Sequence, residues 1–467
     1  MDMTNNVSES DYSTKKAVSY SFAGLTDVIF FQFFSFLIFT FYYAVVGLNV
    51  NLITLAFIIW SIWNAINDPM LGAISDKSTS KWGRRKPFII AGVFPLIIVN
   101  ILLWTPPIAG SQLEIFLYFL IIIVIWEFFY TMWGVNQTAL FPEIFQDHEQ
   151  RIKANTIIQF FQIISLMIAF ILPSFFIPQY DNPQYFVNYL YASIAISIIC
   201  GVTATIFIKY GAKERIEFSK DPEEVPSFLD SIRYTFKNKA FRSFILANFA
   251  LWYAFGMLPT ITALYGSFVL GIKDSLILSL FLALVFISAA IFVFVWKPII
   301  NKLGPKKAFR WVLVAFIITL APFMFISDMI SAFFAYFCLG FGIAGALMIR
   351  DVTIGPIIDE DELITGTRRE AGYYGINGFC IKLTNVAIFI SIALVFNSVG
   401  WAIFDPTGTS EETIFGLRSL MFIFPTAFLL IGIISILKFP ITKERYDEIT
   451  QKVKKLHEQK KEKILKT

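Results

Sequence analysis

The chain alternates between long apolar stretches and shorter polar intervals. Each apolar stretch has about the 20 residues that an α-helix needs to cross the hydrocarbon core of a bilayer. The first six lie at residues 18–46, 50–75, 87–104, 112–141, 154–178 and 184–209, and the second six at 243–269, 274–302, 309–326, 330–358, 370–399 and 416–438. The pattern predicts an all-α membrane protein with twelve transmembrane helices in two six-helix halves.

Polar segments divide the chain further. We expect a cytoplasmic N-terminal segment at residues 1–17, a six-helix bundle at 18–210, a cytoplasmic linker with a short surface helix at 211–242, a second six-helix bundle at 243–438 and a cytoplasmic tail at 439–467. The tail is charged nearly all round, apart from a thin stripe of Ile449, Val453 and Leu456. This composition predicts a solvated helix next to the membrane.

Composition supports a membrane protein and excludes other classes. Of the 467 residues, 57% are hydrophobic and 53 are phenylalanine, which is far from the composition of a soluble domain. The net charge of +4 does not indicate nucleic-acid binding, because Lys and Arg are confined to a few loops and the tail. The three cysteines each lie within an apolar run, so neither a disulfide framework nor a CxxC metal site is expected. The first apolar run is too long for a signal peptide, and we expect it to remain as the first helix.

Basic residues mark one side of the membrane. Outside the linker and the tail they occur in alternate loops, at Lys77, Lys81, Arg84, Arg85, Lys86, Arg151, Lys153, Lys302, Lys306, Lys307, Arg310, Arg368 and Arg369. The intervening loops contain almost none, with Lys273 and Arg418 as the exceptions. The positive-inside rule therefore predicts that both termini are cytoplasmic and that the chain is a multi-pass protein of the cell membrane.

The two halves contain a similar cytoplasmic loop. Pro69 to Gly72 precedes a basic loop after the second predicted span, and Lys297-Pro298 precedes Gly304 to Lys307 after the eighth. Six plus six helices with matched loops resemble the parallel repeat of the major facilitator superfamily. A chance similarity is the alternative, because the positive-inside rule alone requires basic residues in both loops.

A small set of ionisable side chains lies well inside the predicted spans, namely Asp27, Asp68, Glu127, Arg350, Asp351 and Lys382. A charged group that faces lipid is costly, so we expect these side chains to face one shared aqueous cavity.

Asn64 and Asp68 are four residues apart in the second predicted span and therefore share a helix face. Their oxygens are suited to a hard monovalent cation such as sodium, and the Asp68 carboxylate could instead take up a proton. The alternative is that Asp68 only caps a local break in the helix before Pro69.

Two stripes run along the fourth predicted span. One is polar and consists of Glu127, Thr131, Gly134 and Thr138, and the one beside it consists of Trp126, Tyr130, Trp133 and Gln137. A polar stripe beside an aromatic one suits an amphipathic solute, whose apolar face stacks on the rings. We therefore predict that Asp27, Glu127, Tyr130 and Trp133 contact the substrate. Contact with lipid or with neighbouring helices is the alternative for the aromatic residues.

Lys382 lies about three turns into the eleventh predicted span, which is too deep for its ammonium group to reach the interface easily. If it faces the acids of the other half, it can pair with Asp68 in one state of a transporter and separate from it in another. We therefore expect Lys382 to contact the substrate and, with Asp68, to couple the two halves. The alternative is a permanent structural ion pair.

Charged residues near the cytoplasmic helix ends are candidates for an inner gate. We expect salt bridges between the halves to hold this side shut, and we expect Arg350 and Asp351 to pair with other helices. The candidates are Asp76, Arg84, Arg85, Arg350, Asp351, Arg368, Arg369 and Glu370, together with the acids at 359–362.

Three segments have the form of motifs. They are Asn67-Asp68-Pro69-x-x-Gly72 followed by Trp82 to Pro87, Ala139 to Glu143, and Asp361-Glu362-Leu363 followed by Arg368-Arg369-Glu370. In this order they resemble the glycoside-pentoside-hexuronide:cation symporters, the melibiose permease family. The resemblance implies cation-coupled symport by alternating access.

The resemblance also implies a cation site. Asp68 matches the second of two aspartates that the family places four residues apart, and Asn64 stands where the family has the first. Thr131 and Lys382 match the threonine of the fourth helix and the lysine of the eleventh. The loss of one acid weakens the case for sodium in particular.

The implied sugar site is altered. Gly134 stands where the family has a galactoside-binding aspartate, which argues against galactoside specificity. Asp27 resembles the sugar-binding aspartate of the first helix, and we expect Glu127 to replace part of the missing acidic function.

We therefore predict a secondary active transporter that couples a sugar-like or glycoside-like solute to sodium or a proton, acts as a monomer in the lipid bilayer and needs no other cofactor. A cation-coupled lysolipid or amphiphile transporter is the first alternative, because the sodium-dependent lysolipid symporters share the features of the second and eleventh helices. A non-transporting membrane sensor is the second. An enzyme is not expected, since the chain lacks HExxH, GxSxG and P-loop motifs, and its histidines, His148 and His457, lie in polar segments.

Overall fold

The computed structural model describes residues 14–466, apart from residues 77, 79, 81, 146, 147 and 215–227. Lys77 and Lys81 of the predicted basic loop, most of the N-terminal segment and part of the linker therefore lie outside the described residues. Within the described ranges the architecture is all-helical.

The first half contains six membrane-spanning helices. They are α1 Thr14–Thr40, α2 Val50–Asp76, α3 Lys86–Leu102, α4 Gln112–Ile144, α5 His148–Ile171 and α6 Phe186–Ile206. Two of them continue as π-helical turns, at Phe41–Val45 and Phe207–Gly211, and α5 continues as a 3₁₀ turn at Leu172–Phe175. A capping box fixes the start of α4, because the Glu114 carboxylate accepts the Ser111 N–H at 2.6 Å and the Ser111 hydroxyl accepts the Glu114 N–H.

The second half follows a short surface helix, α7 Phe228–Lys237. Its helices are α8 Lys239–Phe268, α9 Ser275–Leu320, α10 Met329–Thr365, α11 Glu370–Ser398, α12 Glu411–Met421 and α13 Ile423–Leu437. α12 and α13 together make one crossing, interrupted at Phe422. A tail helix, α14 Lys443–Lys466, ends the described chain.

α9 contains two membrane crossings. Gly304 breaks it with φ 70° and ψ 173°, a left-handed backbone conformation that favours glycine. The expected loop between the eighth and ninth spans is thus a sharp kink. Ten described helical segments are long and apolar enough to cross a bilayer. The segment that contains Gly304 counts as two crossings, and the shorter, 17-residue α3 adds one more. The described part of the chain therefore has twelve crossings.

The two halves meet through three helix pairs, α2 with α11, α1 with α8 and α5 with α9. On the side away from the basic loops, the amides of Asn51 and Asn397 exchange hydrogen bonds of 3.1 and 2.8 Å across the halves. Deeper in, the rings of Phe57 and Phe389 stack with centroids 3.6 Å apart. These contacts close the outer side of the protein.

The tail helix packs against α9 and α10. Its residues Ile449 and Val453 are buried, and the Arg445 guanidinium donates to the Glu360 carboxylate at 2.7 and 3.0 Å. The thin apolar stripe of the tail therefore packs at the Gly304 kink of α9 and near the end of α10, on the side of the basic loops, which corrects the expectation of a simply solvated helix.

Candidate functional site

A cavity of about 690 Å³ lies between the halves, with walls from α1, α2, α4, α8, α10 and α11. Among the residues that line it are five acidic or basic ones, Asp27, Asp68, Glu127, Arg350 and Lys382. Sequence reasoning placed six such residues in a shared cavity, and the structure brings five of them together. Asp351 is not among the described residues of the wall.

This cavity continues into a second space of about 620 Å³ between α2 and α11. Asn64, Asp68 and Lys382 line both spaces, and the second extends to Asp76 at the end of α2 and to Ser231 of α7. The cavity is therefore open toward the side of the basic loops and closed on the other side.

Lys382 joins the halves at the junction of the two spaces. Its ammonium group donates hydrogen bonds to Asp68 Oδ2 and to Asn64 Oδ1. The one-turn spacing of Asn64 and Asp68 on α2 allows both oxygens to reach the same nitrogen. Asn64 is buried, whereas the Asp68 and Lys382 side chains are 37% and 27% exposed, so the ion pair is accessible from the cavity.

The Thr131 hydroxyl lies between two carboxylates. Its oxygen is 3.0 Å from Asp68 Oδ1 and 3.2 Å from Glu127 Oε1. The second oxygen of Glu127 accepts a hydrogen bond of 2.9 Å from Trp60 Nε1, and Glu127 is only 2% exposed. Asp68, Asn64 and Thr131 thus present several oxygen atoms around one point, the kind of ligand set that hard cations prefer.

Asp27 lies against α4 at the position of Gly134. A Cβ atom built on Gly134 would be 3.7 Å from Asp27 Oδ1, so a longer side chain here would compete with the Asp27 carboxylate for space. Tyr130 lines the cavity beside Asp27, and its ring stacks on Phe31 with centroids 5.9 Å apart. Because glycine has no side chain, position 134 leaves room for the Asp27 carboxylate.

Trp133 does not line the cavity, which corrects its prediction as a substrate-binding residue. It is fully buried and packs edge-on against Phe207 of the turn after α6, with ring centroids 5.6 Å apart. Trp126 is also buried, stacked on Phe34 at 4.5 Å. Because α3 packs along α4 and Phe34 of α1 covers Trp126, Tyr130 is the residue of the aromatic stripe that faces the cavity, together with the polar stripe.

Sequence reasoning missed several residues of the wall. Trp60 precedes Asn64 by four residues, so the two share a face of α2, and this spacing could have predicted that Trp60 lines the cavity. No such signal distinguishes Trp252 and Phe255 of α8, because aromatic residues are frequent throughout the chain. The other wall residues not predicted include Phe31, Gln32, Ser35, Pro259, Ile381, Thr384 and Asn385.

The charged residues at the inner ends of the first half pair within that half. Arg84 and Arg85 each contact the Glu143 carboxylate, at 3.0 and 3.2 Å, and Arg85 contacts Asp76 at 3.1 Å. The expected salt bridges between the halves are not formed by these residues, because the cavity separates the inner ends of the two halves in this conformation.

The second half has its own cluster. Arg368 contacts Asp359, Glu362 and Glu370 at 2.9–3.0 Å, and Arg369 makes a bidentate pair with Asp361. The hydrogen bonds that Arg369 donates to Asp361 raise the pKa of the guanidinium group, which therefore stays charged. The motif after the tenth crossing thus ties the ends of α10 and α11 together within one half.

Among the described residues, Arg350 and Asp351 form an ion pair with each other, whereas the sequence predicts pairs with other helices. Arg350 Nε and Nη2 donate to the two Asp351 oxygens at 2.9 and 3.2 Å. α10 also continues to Thr365, beyond the predicted end at 358, so Arg350 lies farther from the inner surface than expected. Arg350 lines the central cavity.

Two helical halves around a polar central cavity define a multi-pass membrane transporter of the major facilitator fold. A sequence model of the family described as MFS/sugar transport protein matches residues 19–443, and the chain belongs to this family. It is not an enzyme, since its relatives and structural neighbours are transporters.

Known proteins show how far the similarity extends. A symporter of Synechocystis sp. is 24% identical over 88% of this chain and 91% of its own length. The sodium-dependent lysophosphatidylcholine symporter 1 of Gallus gallus is 22% identical over 85% of this chain and 81% of its own length. Among solved structures, the nucleoside transporter NupG has a TM-score of 0.67 at 13% identity, with 92% of this chain and 100% of that chain covered, and it supports the fold alone.

Proposed function

We propose that this transporter is a symporter that couples a sugar-like solute to sodium or a proton. The observation that carries the proposal is the contact of Lys382 of α11 with Asp68 and Asn64 of α2. It links the charge state of a candidate cation site in one half to the position of the other half. The Synechocystis and Gallus relatives, both named symporters, support coupled transport.

In this proposal the ammonium group of Lys382 and the coupling ion compete for the same oxygens. When sodium binds to Asp68, Asn64 and Thr131, or when a proton neutralises Asp68, Lys382 loses its partner and can move away. The pair holds α2 against α11 from within the cavity, so its release changes the free-energy difference between the inward-open and outward-open states.

The solute is proposed to bind beside this cluster. The carboxylates of Asp27 and Glu127 would accept hydrogen bonds from its hydroxyl groups, and the Tyr130 hydroxyl would accept or donate one. The rings of Phe31 and Trp252 would cover its apolar face. A solute at this position contacts both halves, as alternating access requires.

Uptake into proteoliposomes tests the proposal. A thermal-shift screen of sugars, organic acids and lysolipids with the purified protein first identifies a solute. We then expect an inward sodium or proton gradient to drive accumulation of that solute, and we expect collapse of the gradient to stop it. Solute binding without gradient-driven flux would favour the membrane sensor over a symporter.

A lysolipid or another amphiphile is the second candidate solute. The similarity to the lysophosphatidylcholine symporter and the aromatic residues of the wall favour it. Competition decides between the two: excess lysophosphatidylcholine blocks uptake of the identified solute only if the amphiphile uses the same site.

A further inference from the structure

Arg350 lies deep within the membrane-spanning part of the protein. It is 21 residues after the start of α10 and 15 residues before its end, which places it about 20 Å from the nearer end of the helix. A guanidinium at this depth is costly unless water or a binding partner surrounds it. Arg350 faces the central cavity, and its side chain is 36% exposed there.

The Arg350 guanidinium has unused hydrogen-bond donors. It carries five N–H groups, and the two bonds to Asp351 use one at Nε and one at Nη2. No bond of the remaining three is found in the described part of the chain. Asp351 is itself 55% exposed and stands outside the cavity wall, so it neutralises Arg350 without covering the guanidinium group.

The other ionisable groups of the cavity already have partners. Lys382 is bound to Asp68 and Asn64, Glu127 accepts a hydrogen bond from Trp60, and Asp27 accepts one from Tyr130. The acids all belong to the first half, whereas Arg350 projects from the second. The cavity therefore has an acidic, hydroxyl-binding side and a cationic side with open donors.

We propose that Arg350 binds an anionic group of the transported solute, either a carboxylate or a phosphate. The inference rests on the proposed function, in which this cavity holds the solute. The planar fork of a guanidinium matches both anions through paired N–H donors. The solute would lie with its anionic end at α10 and its hydroxyl-bearing end toward Asp27 and Glu127. This assignment replaces the inner-gate role that the sequence predicted for Arg350.

Binding measurements with matched pairs of probes test the proposal. One pair is D-galacturonate and D-galactose, which represents a sugar acid; the other is palmitoyl lysophosphatidate and monopalmitoylglycerol, which represents a lipid phosphate. Isothermal titration of the purified wild-type protein is compared with R350Q, R350K and a control, R310Q. Arg310 lies near the kink of α9, outside the cavity wall, and its substitution makes the same change in net charge.

We expect the anionic member of one pair to bind wild type at least about tenfold tighter than the neutral member, a difference of about 1.4 kcal/mol. R350Q should lose this preference while it keeps the affinity for the neutral member, R350K should keep part of it, and R310Q should keep all of it. The pair that shows the preference identifies the source of the anion.

An unchanged preference in R350Q, equal binding of the two members of both pairs, or binding of none of the anions would overturn the proposal. Gradient-driven uptake separates it from the proposed function. If a neutral solute is taken up with coupling but no anion is preferred, the proposed role of Arg350 is wrong and symport stands. If an anion is preferred but its uptake is not coupled to a gradient, symport is wrong and the role of Arg350 stands.

Discussion

Replacing Thr131 by valine removes the hydroxyl that lies between Asp68 and Glu127 and changes little else in shape. The hydroxyl oxygen is 3.0 and 3.2 Å from the two carboxylates, and Thr131 is 3% exposed. In the proposed cation site this oxygen is also a ligand. Thr131→Val therefore tests whether the oxygens of α2 and α4 act as one site.

The magnitude follows from the contacts. The Thr131 oxygen is one ligand of the proposed cation site, and an interaction of a polar group with a charged one contributes about 1.5–3 kcal/mol. Because Asp68 is 37% exposed and water can replace part of the lost interaction, the lower end of this range applies. We expect the apparent affinity for the coupling cation to fall about tenfold in Thr131→Val, which corresponds to about 1.4 kcal/mol.

The assay is a cation titration of the thermal stability of the purified protein, because a ligand that binds the folded state raises the melting temperature with its concentration. Thr131→Ser should titrate nearly as wild type does. Thr138→Val is a matched control, since it removes a hydroxyl from the same face of α4 at an exposed position. If Thr131→Val titrates as wild type does, or if Thr138→Val shows the same loss, Thr131 is not a ligand and the reasoning is refuted.

Two further predictions concern the closed outer side and the inner loop. In the first, cysteines replace Asn51 and Asn397 and are joined by a bifunctional cross-linker. The cross-link should block uptake but leave solute binding intact, because these two residues touch across the halves only when the outer side is closed. Uptake by the cross-linked protein would contradict this prediction. Glu214→Ala should lower the free energy of unfolding by about 1–2 kcal/mol, because its carboxylate accepts the backbone N–H groups of Arg84 and Arg85 at 2.5 and 2.7 Å at the start of α3. Lys213→Ala is the control, and equal melting temperatures of the two variants would show that this cap contributes little.

The membrane crossings were predictable because hydrophobic length determines them. Observed helices begin and end within a few residues of most predicted spans, and the largest differences are at α5, which begins at His148, and at α10, which continues to Thr365. The kink at Gly304 was not predicted, because a polar interval alone does not distinguish a loop from a break in a continuous helix.

The polar part of the cavity was also predictable. Charges inside apolar spans are few and costly, so Asp27, Asp68, Glu127 and Lys382 had to converge. Trp133 could not be assigned in the same way, because an aromatic side chain is equally suited to a cavity wall and to a helix interface.

The inner-gate contacts depend on conformation. The sequence shows which charged residues lie at the helix ends. Their pairing depends on whether the two halves are open or closed on that side. In the inward-open arrangement, Arg85 and Arg369 each pair within their own half.

The central claim is that Asp68 couples an ion to movement of the solute. The most direct test compares wild type with Asp68→Asn in proteoliposomes, using the identified solute and an imposed sodium or proton gradient. We expect that Asp68→Asn still binds the solute and exchanges it across the membrane but no longer accumulates it against its gradient. Gradient-driven accumulation by Asp68→Asn at the wild-type level would show that Asp68 does not couple the ion to the solute.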